Sequence, residues 1–127
     1  MNTQFDKVTK NREVLPGYML VKENGQDRKV IVADILYVDH SNCYVKIHTE
    51  HAIIATCIKF SAVKSFLCAH DAFVSCNRKM VLNMNKIKKV EGLFFLIKNG
   101  EYISMGKKRE KEIKNRYMDY ILGIIRA

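Results

Sequence analysis

The sequence predicts a mainly β domain of antiparallel sheets, with one short helix in the middle and a second helix at the C-terminus. Short apolar segments alternate with turn residues through most of the chain. The pair Asn99-Gly100 separates two alternating segments, which is a strong signal for a β-hairpin. The apolar period changes to three or four residues only near residue 58 and after residue 107, so helices are expected there.

Turn residues divide the chain into its predicted elements. The first 17 residues are polar and end in Pro16-Gly17, which predicts a tail or linker before one domain spanning 18–127. Residues 39–42 are a cluster of turn formers, so His40, Ser41 and Asn42 are expected in an exposed loop. A strand that begins at residue 72 is interrupted at 77–79 and then resumes. The remaining strands are expected at 18–22, 28–32, 35–39, 43–49, 52–57, 87–90, 93–98 and 101–104.

Two amphipathic helices complete the prediction. The first is expected near residues 58–69, and its apolar face consists of Ile58, Val63, Phe66 and Leu67. The second is expected near residues 107–125. Because Lys107-Lys108-Arg109 occupy its first turn, where the helix dipole favours negative charge, this end is interpreted as a place for an anion. Its predicted apolar stripe consists of Ile113, Tyr117, Tyr120, Ile121, Ile124 and Ile125.

The charge of the chain indicates a polyanionic partner. The 127 residues include 22 Lys and Arg against 13 Asp and Glu, a formal net charge of +9. Residues 71–127 carry 13 basic and 6 acidic side chains, so this segment alone accounts for a net +7. Nucleic acid is the first partner to consider. No run of about 18 apolar residues and no secretory signal pattern is present, so a cytoplasmic protein is expected and a membrane role is not.

The sequence gives little support for catalysis or metal binding. The phosphate-cradling glycine patterns, H-E-x-x-H and G-x-S-x-G are absent, so no enzyme, small-molecule substrate, cofactor or metal is expected. The pairs His40/Cys43 and His48/His51 have metal-like gaps, but on a strand their side chains would point to opposite faces. The four cysteines match no zinc or redox spacing and are interpreted as buried free thiols.

Three polar clusters are candidate contact sites, although ordinary solvated turns would also explain each of them. The first is His40-Ser41-Asn42 with Tyr44, and the second is Asn77-Arg78-Lys79 inside an apolar run. The third is Lys107-Lys108-Arg109. Asn and Arg can form paired hydrogen bonds to adenine and guanine edges in the major groove, whereas Lys neutralises phosphate without reading sequence. Together the clusters favour a nucleic-acid interface.

The order of these elements resembles that in a known family of domains. The characteristic segments are A-D-I-L-Y-V-D at 33–39, F-V-S-C-N-R-K-M-V-L-N at 73–83 with Ile87 after it, and N-G-E-Y-I-S at 99–104 before the last helix. They resemble the LytTR DNA-binding domain of bacterial LytR/AgrA-type regulators, over about residues 18–123. The resemblance implies a mostly β fold that binds promoter DNA through loops. These loops would enter successive major grooves on paired direct repeats bound by two protomers.

The resemblance also implies which residues contact DNA. The contact regions of the family correspond to Ser41–Tyr44, Asn77–Lys79 and Ser104–Lys108. Many members have His in place of Asn77 and a basic or polar residue in place of Gly106, so the resemblance implies no base preference for this chain, and Lys107 and Lys108 would supply the charge missing at Gly106. Many members also carry an N-terminal receiver domain. The 17 residues before Tyr18 cannot hold one, so a stand-alone regulator or an excised effector part is expected, and the Met1 start favours the former.

The leading hypothesis is a sequence-specific transcriptional regulator that binds double-stranded DNA. The alternative is a basic interaction module that docks on an acidic protein or an anionic membrane, with the last helix as its anchor. RNA binding is disfavoured, because no row of strand aromatics resembles an RNA recognition motif. Asn77 and Arg78, and less strongly Asn42, are expected to read bases. The full set of expected DNA contacts is Ser41, Asn42, Tyr44, Asn77, Arg78, Lys79, Lys86, Ser104, Lys107, Lys108 and Arg109.

Overall fold

The computed structural model describes residues 17–126, except for the side chain of Arg126. The predicted tail, residues 1–17, therefore lies outside the described residues apart from Gly17. Within the described part of the chain, no helix is long and apolar enough to cross a membrane.

Ten strands form three antiparallel sheets within residues 17–126, as the alternating segments predict. The strands are β1 Tyr18–Glu23, β2 Gln26–Ile31, β3 Ile35–Ser41, β4 Tyr44–Thr49, β5 Ile53–Thr56, β6 Phe73–Asn77, β7 Met80–Asn83, β8 Ile87–Glu91, β9 Phe94–Ile97 and β10 Tyr102–Ser104. Strands β1 and β2 form a two-stranded hairpin, a five-stranded sheet has the order β5-β4-β3-β7-β6, and a three-stranded sheet has the order β10-β9-β8. The mainly β class with two helices is confirmed.

Both helices are present but begin later than expected. Helix α1 spans Phe60–Cys68, and only Val63 and Leu67 of its predicted apolar face are buried. Helix α2 spans Glu110–Arg126, because residues 107–109 form a separate 3₁₀ turn before it. Its inner face packs as predicted, with one exception. Ile125, in the last turn of the helix, is 71% exposed.

The loop predicted at residues 39–42 is wrong in extent. Strand β3 continues through His40 and Ser41, so only Asn42 and Cys43 form the turn to β4. The backbone NH of His40 donates to the carbonyl of Lys79 at 3.2 Å, and the His40 ring stacks on Phe60 with 4.3 Å between centroids. Sheet pairing and ring stacking therefore keep His40 in β3, although residues 39–42 locally favour a turn.

One core brings the sheets and the helices together. It combines the inner faces of the five-stranded and three-stranded sheets with the apolar faces of both helices, as the complete burial of Val38, Leu67, Phe95 and Met105 shows. The Tyr117 ring of α2 meets the Phe95 ring edge-on at 5.5 Å. The core thus fixes the two larger sheets relative to each other.

A buried asparagine joins two strands within this core. Asn83 has no exposed surface. Its Nδ2 donates to the carbonyl of Ile35 at 2.9 Å, and its Oδ1 accepts from the backbone NH of Asn85 at 3.0 Å. Both polar ends of the side chain are satisfied, so it stabilises the junction of β7 with the start of β3.

The four cysteines are free, as expected, but only one is buried. Cys76 lies in the core, Cys68 is half-buried, and Cys43 and Cys57 are exposed. Burial raises the pKa of the Cys76 thiol to about 12. The prediction of buried thiols is therefore wrong for Cys43, in the two-residue turn after β3, and for Cys57, which directly follows β5.

Replacing Asn83 by Ala should lower the free energy of unfolding by about 1–3 kcal/mol, because the buried Ile35 carbonyl and Asn85 NH lose their partner. Urea denaturation measures this change. Asn115→Ala is the matched control, since Asn115 is exposed on α2 and its replacement should change stability by less than about 0.5 kcal/mol. Equal effects of the two substitutions would contradict a structural role for Asn83.

Candidate nucleic-acid interface

The turn between β3 and β4 projects from one end of the five-stranded sheet. Ser41 pairs with Tyr44 across it, and Asn42 has φ of 54°. Asn tolerates this left-handed conformation better than most residues, because its short side chain is compatible with a positive φ. Ser41, Asn42 and Tyr44 are all exposed, so the turn offers a hydroxyl, an amide and an aromatic ring to a partner.

The turn between β6 and β7 carries Arg78 and Lys79 at its tip. Asn77 pairs with Met80, and the Oδ1 of Asn77 accepts from the backbone NH of Lys79 at 3.0 Å. The hydroxyl of Ser75 donates to the carbonyl of Asn77 at 3.1 Å. These local bonds order the turn and leave both cationic side chains exposed.

The third segment connects β10 to α2. Met105 anchors it, because its side chain is completely buried and its backbone NH donates to the carbonyl of Leu93 at 2.9 Å. Residues 107–109 then form the 3₁₀ turn, and Lys107 and Lys108 are exposed.

Three hydrogen bonds connect these segments into one surface. The His40–Lys79 backbone bond described above joins the first turn to the second. The Nδ2 of Asn77 donates to the carbonyl of Ser104 at 2.9 Å, and the Nη1 of Arg109 donates to the carbonyl of Ser75 at 3.0 Å. We call this surface the basic end. It comprises Ser41–Tyr44, Asn77–Lys79, Ser104 and Gly106–Arg109.

The basic end has a strongly positive surface. A groove of about 550 Å³ runs between residues 76–79 and 106–109. Within the described part of the chain, no ion pair involves Arg78, Lys79, Lys107 or Lys108. Four exposed cations thus lie on two neighbouring segments without a protein carboxylate to neutralise them, which is a suitable surface for a polyanion.

Arg109 is not a free cation. Its Nε and Nη2 each donate to the carboxylate of Glu112 at 3.2 Å. The hydrogen bond from Arg109 holds the pKa of Glu112 below its ordinary value. The first turn of α2 contains Glu110 and Glu112, so the prediction of three cations in that turn is wrong. The helix dipole is complemented by acids, and Arg109 connects α2 to β6.

Lys86 lies away from the other expected contacts. It follows β7 at the end of the sheet opposite to the two turns, and its side chain is only 11% exposed. The Nζ of Lys86 donates to the carboxylate of Glu50, which lies just after β4. We therefore leave Lys86 out of the basic end, because its charge is largely covered and already paired.

Asn77 has a role that the sequence did not indicate. Both polar ends of its side chain bond to the protein backbone, at Lys79 and Ser104. Asx-type bonding to the residue two positions ahead is a general property of Asn in turns, so the first bond could have been anticipated. The bond to Ser104 joins residues 27 positions apart, and no local signal predicts it.

The three histidines of the two candidate metal pairs have other partners, and the His40 ring stacks on Phe60. The Nε2 of His48 lies 2.9 Å from the carboxylate of Asp39, and the His51 ring lies 3.7 Å from Asp34. Among the described residues, no group of three or more His, Cys, Asp and Glu side chains could hold a metal ion.

These features define a class of protein. A rigid, mainly β scaffold presents two tight turns and a third segment side by side, and their exposed cations face solvent. This arrangement is suited to binding a polyanion through loops rather than through a helix.

Comparison with known proteins identifies the family. The model of the LytTR family, described as the LytTr DNA-binding domain, matches residues 26–118. The chain belongs to the LytTR family, which is a family of DNA-binding domains and not of enzymes. The resemblance seen in the sequence is thus confirmed, and DNA is the partner of the class. None of the curated proteins compared matches this chain.

A solved structure has the same fold. It is the LytTr DNA-binding domain of a protein from Bacillus cereus described as a methyl-accepting/DNA response regulator. The TM-score is 0.67 at 15% sequence identity, and the match covers 80% of this chain and 97% of that chain. At this low sequence identity, the similarity lies in the three-dimensional structure, and it supports the fold of the domain.

The Lys86–Glu50 pair should contribute to stability in a pH-dependent way. Lys86 lowers the pKa of Glu50 in the folded protein. The stabilisation by this pair is therefore complete above the pKa of Glu50 in the unfolded chain, about 4.3. It is lost as the pH falls through the lower pKa of Glu50 in the folded state. Glu50→Gln should therefore reduce the free energy of unfolding by about 0.2–1 kcal/mol at pH 7. Urea titrations should show the two proteins converging below about pH 4, and a constant difference would contradict the pairing.

Proposed function

We propose that this protein is a sequence-specific transcriptional regulator of the bacterial cytoplasm that reads short direct repeats in promoter DNA with its basic end. The observation that carries the proposal is the junction of three exposed segments, two of them cationic, at one end of the domain. A duplex major groove is about 12 Å wide and admits a two-stranded β element, so a tight turn such as that between β6 and β7 can enter it.

The side chains of the basic end divide into two groups. Arg78 is the proposed base reader, because its guanidinium is exposed at the tip of an ordered turn and can bond guanine in a bidentate way. Asn42 is a second candidate, on the neighbouring turn. Lys79, Lys107 and Lys108 would neutralise phosphates, while Ser41, Tyr44 and Ser104 would contact the backbone at the margin. We assign Asn77 and Arg109 a positioning role, since their side chains hold the segments together.

Two protomers would bind a paired repeat, each through its own basic end. Direct repeats present the same groove edges in the same orientation, so copies related by translation along the DNA can make identical contacts. Because one domain offers only a few base-reading side chains, two copies would supply the specificity that one domain lacks.

Selection of binding sites from a random duplex library tests the proposal. The expected result is a pair of short direct repeats, bound at least roughly 10³-fold more tightly than scrambled DNA. Binding that is equal for all sequences and purely salt-dependent would overturn sequence-specific regulation. Binding to anionic vesicles or an acidic protein, without binding to duplex DNA, would favour the alternative of a basic interaction module.

Arg78→Ala should weaken binding to the selected site by about 1–3 kcal/mol and relax the preference at one base pair. Arg78→Lys is the matched control, because it keeps the charge but loses the planar fork that bonds guanine. It should lose the same base preference while retaining the salt dependence. Equal losses on selected and scrambled DNA for both variants would exclude Arg78 as a base reader. Competition binding with single-base variants of the site measures these effects.

Lys108→Ala should weaken binding to all sequences alike. The three exposed lysines predict a log–log salt slope of about −3, and this variant should flatten it by about one unit. Lys86→Ala is the control and should leave the slope unchanged, because Lys86 lies at the opposite end of the sheet and pairs with Glu50. Fluorescence anisotropy across a salt series measures the slope. A larger effect for Lys86 than for Lys108 would contradict the placement of the interface.

A further inference from the structure

The outer face of the three-stranded sheet carries two exposed aromatic side chains on neighbouring strands. Phe94 on β9 is 43% exposed and Tyr102 on β10 is 54% exposed. Tyr102 pairs with Leu96, and Ser104 pairs with Phe94, so the strand alternation places both rings on one face. The opposite face is the buried one, since Phe95, Ile97 and Ile103 belong to the core.

The two rings retain open surface for a planar ligand. Their centroids are 6.3 Å apart and their planes meet at 86°. In such an edge-to-face pair, at most one of the four ring faces is covered by the partner ring. Aromatic faces on a sheet are the surface on which unpaired bases stack, and stacking is sequence-tolerant because every base has a π-face.

The charges around the rings suit a backbone of phosphates. Lys89 pairs with Leu96 in the same row as Tyr102. Lys88 is exposed in the bulge of β8, at the edge of the sheet. The carboxylate of Glu91 also lies on this face. It is paired with Lys89 at 3.3 Å and accepts a hydrogen bond from Tyr102, so its charge is compensated within the protein. Lys88 remains without an ion pair among the described residues.

The aromatic face is continuous with the basic end. Ser104 lies opposite Phe94 on this face, and its carbonyl accepts the hydrogen bond from Asn77. A nucleic acid bound at the turn between β6 and β7 would therefore lie next to the strand that carries Tyr102.

We propose that the aromatic face, formed by Phe94, Leu96 and Tyr102 with Lys89 in the same row and Lys88 at the edge of the sheet, binds single-stranded nucleic acid by stacking unpaired bases. This goes beyond the proposed function and rests on it only for the class of partner. Duplex binding does not use this flat apolar surface, which suits bases that are not paired in a helix. The shared ligand chemistry is an unpaired base on a phosphate backbone, in DNA or RNA.

The test uses the full chain and labelled single strands of about 12 nucleotides, one of oligothymidine and one of oligouridine, which suit the site sizes of small stacking domains. Anisotropy at moderate salt gives the dissociation constants. Phe94→Ala and Tyr102→Ala should each weaken binding roughly 5- to 100-fold. Tyr102→Phe keeps the ring and should bind as the unaltered protein does. Tyr18→Ala removes an equally exposed ring on the separate β1–β2 hairpin and should have no effect.

The outcomes separate this proposal from the proposed function. Loss of single-strand binding in the two alanine variants, with binding to the selected duplex retained, supports the aromatic face. Tighter binding of oligothymidine than oligouridine, or the reverse, identifies DNA or RNA as the source. No single-strand binding, or equal losses for Tyr18→Ala and Tyr102→Ala, overturns the proposal. A change of oligomeric state on sedimentation, with unaltered single-strand binding, overturns it in favour of self-association.

Stability is controlled separately. Thermal unfolding of each variant should remain cooperative, because both rings are about half-exposed. If Phe94→Ala fails to fold, Phe94→Leu with Lys88→Ala tests the same face, since one removes the ring and the other the charge. Unchanged single-strand affinity in both of these would overturn the proposal.

Discussion

The pairing of β3 with β7 is the constraint on which the candidate interface depends. Val38 pairs with Val81, and both side chains are completely buried. A shift of one residue would turn these side chains to the other face of the sheet, so the core specifies the register. The same register sets the ends of the two strands side by side and brings the turns after Ser41 and Asn77 together. The position of the proposed DNA contacts is thus a consequence of apolar packing.

Polar side chains at the basic end then have one of two roles. Asn77 and Arg109 use their hydrogen-bonding groups within the protein and fix the third segment against the second turn. Arg78, Lys79 and Lys108 are exposed and have no ion pair among the described residues, so their charged groups are available to a partner. Ordering the segments before binding reduces the conformational entropy lost on association. The positive charge of the interface is therefore presented on an ordered surface instead of on free loops.

The distribution of charge agrees with this division. At the opposite end of the sheet, Lys86 is covered and paired with Glu50, so its charge contributes little to the external field. Arg78, Lys79, Lys107 and Lys108 have no ion pair among the described residues and lie together at the basic end. Their field would attract a polyanion to the side that carries the proposed base-reading groups. Membership of the LytTR family supports the proposed duplex interface, whereas the aromatic face is a separate feature of this chain's surface.

The sequence by itself determined the strands, the two helices and the family. The alternation of apolar and polar residues, the turn residues and the order of the motifs are all recognisable without a structure. Tertiary structure decided which side chains lie in contact with one another. Phe94 and Tyr102 share a face only through strand pairing, Glu50 neutralises Lys86 across 36 positions, and β3 retains His40 against its turn propensity. These contacts join residues far apart in the chain, and their energies come from packing and register, which no single segment encodes.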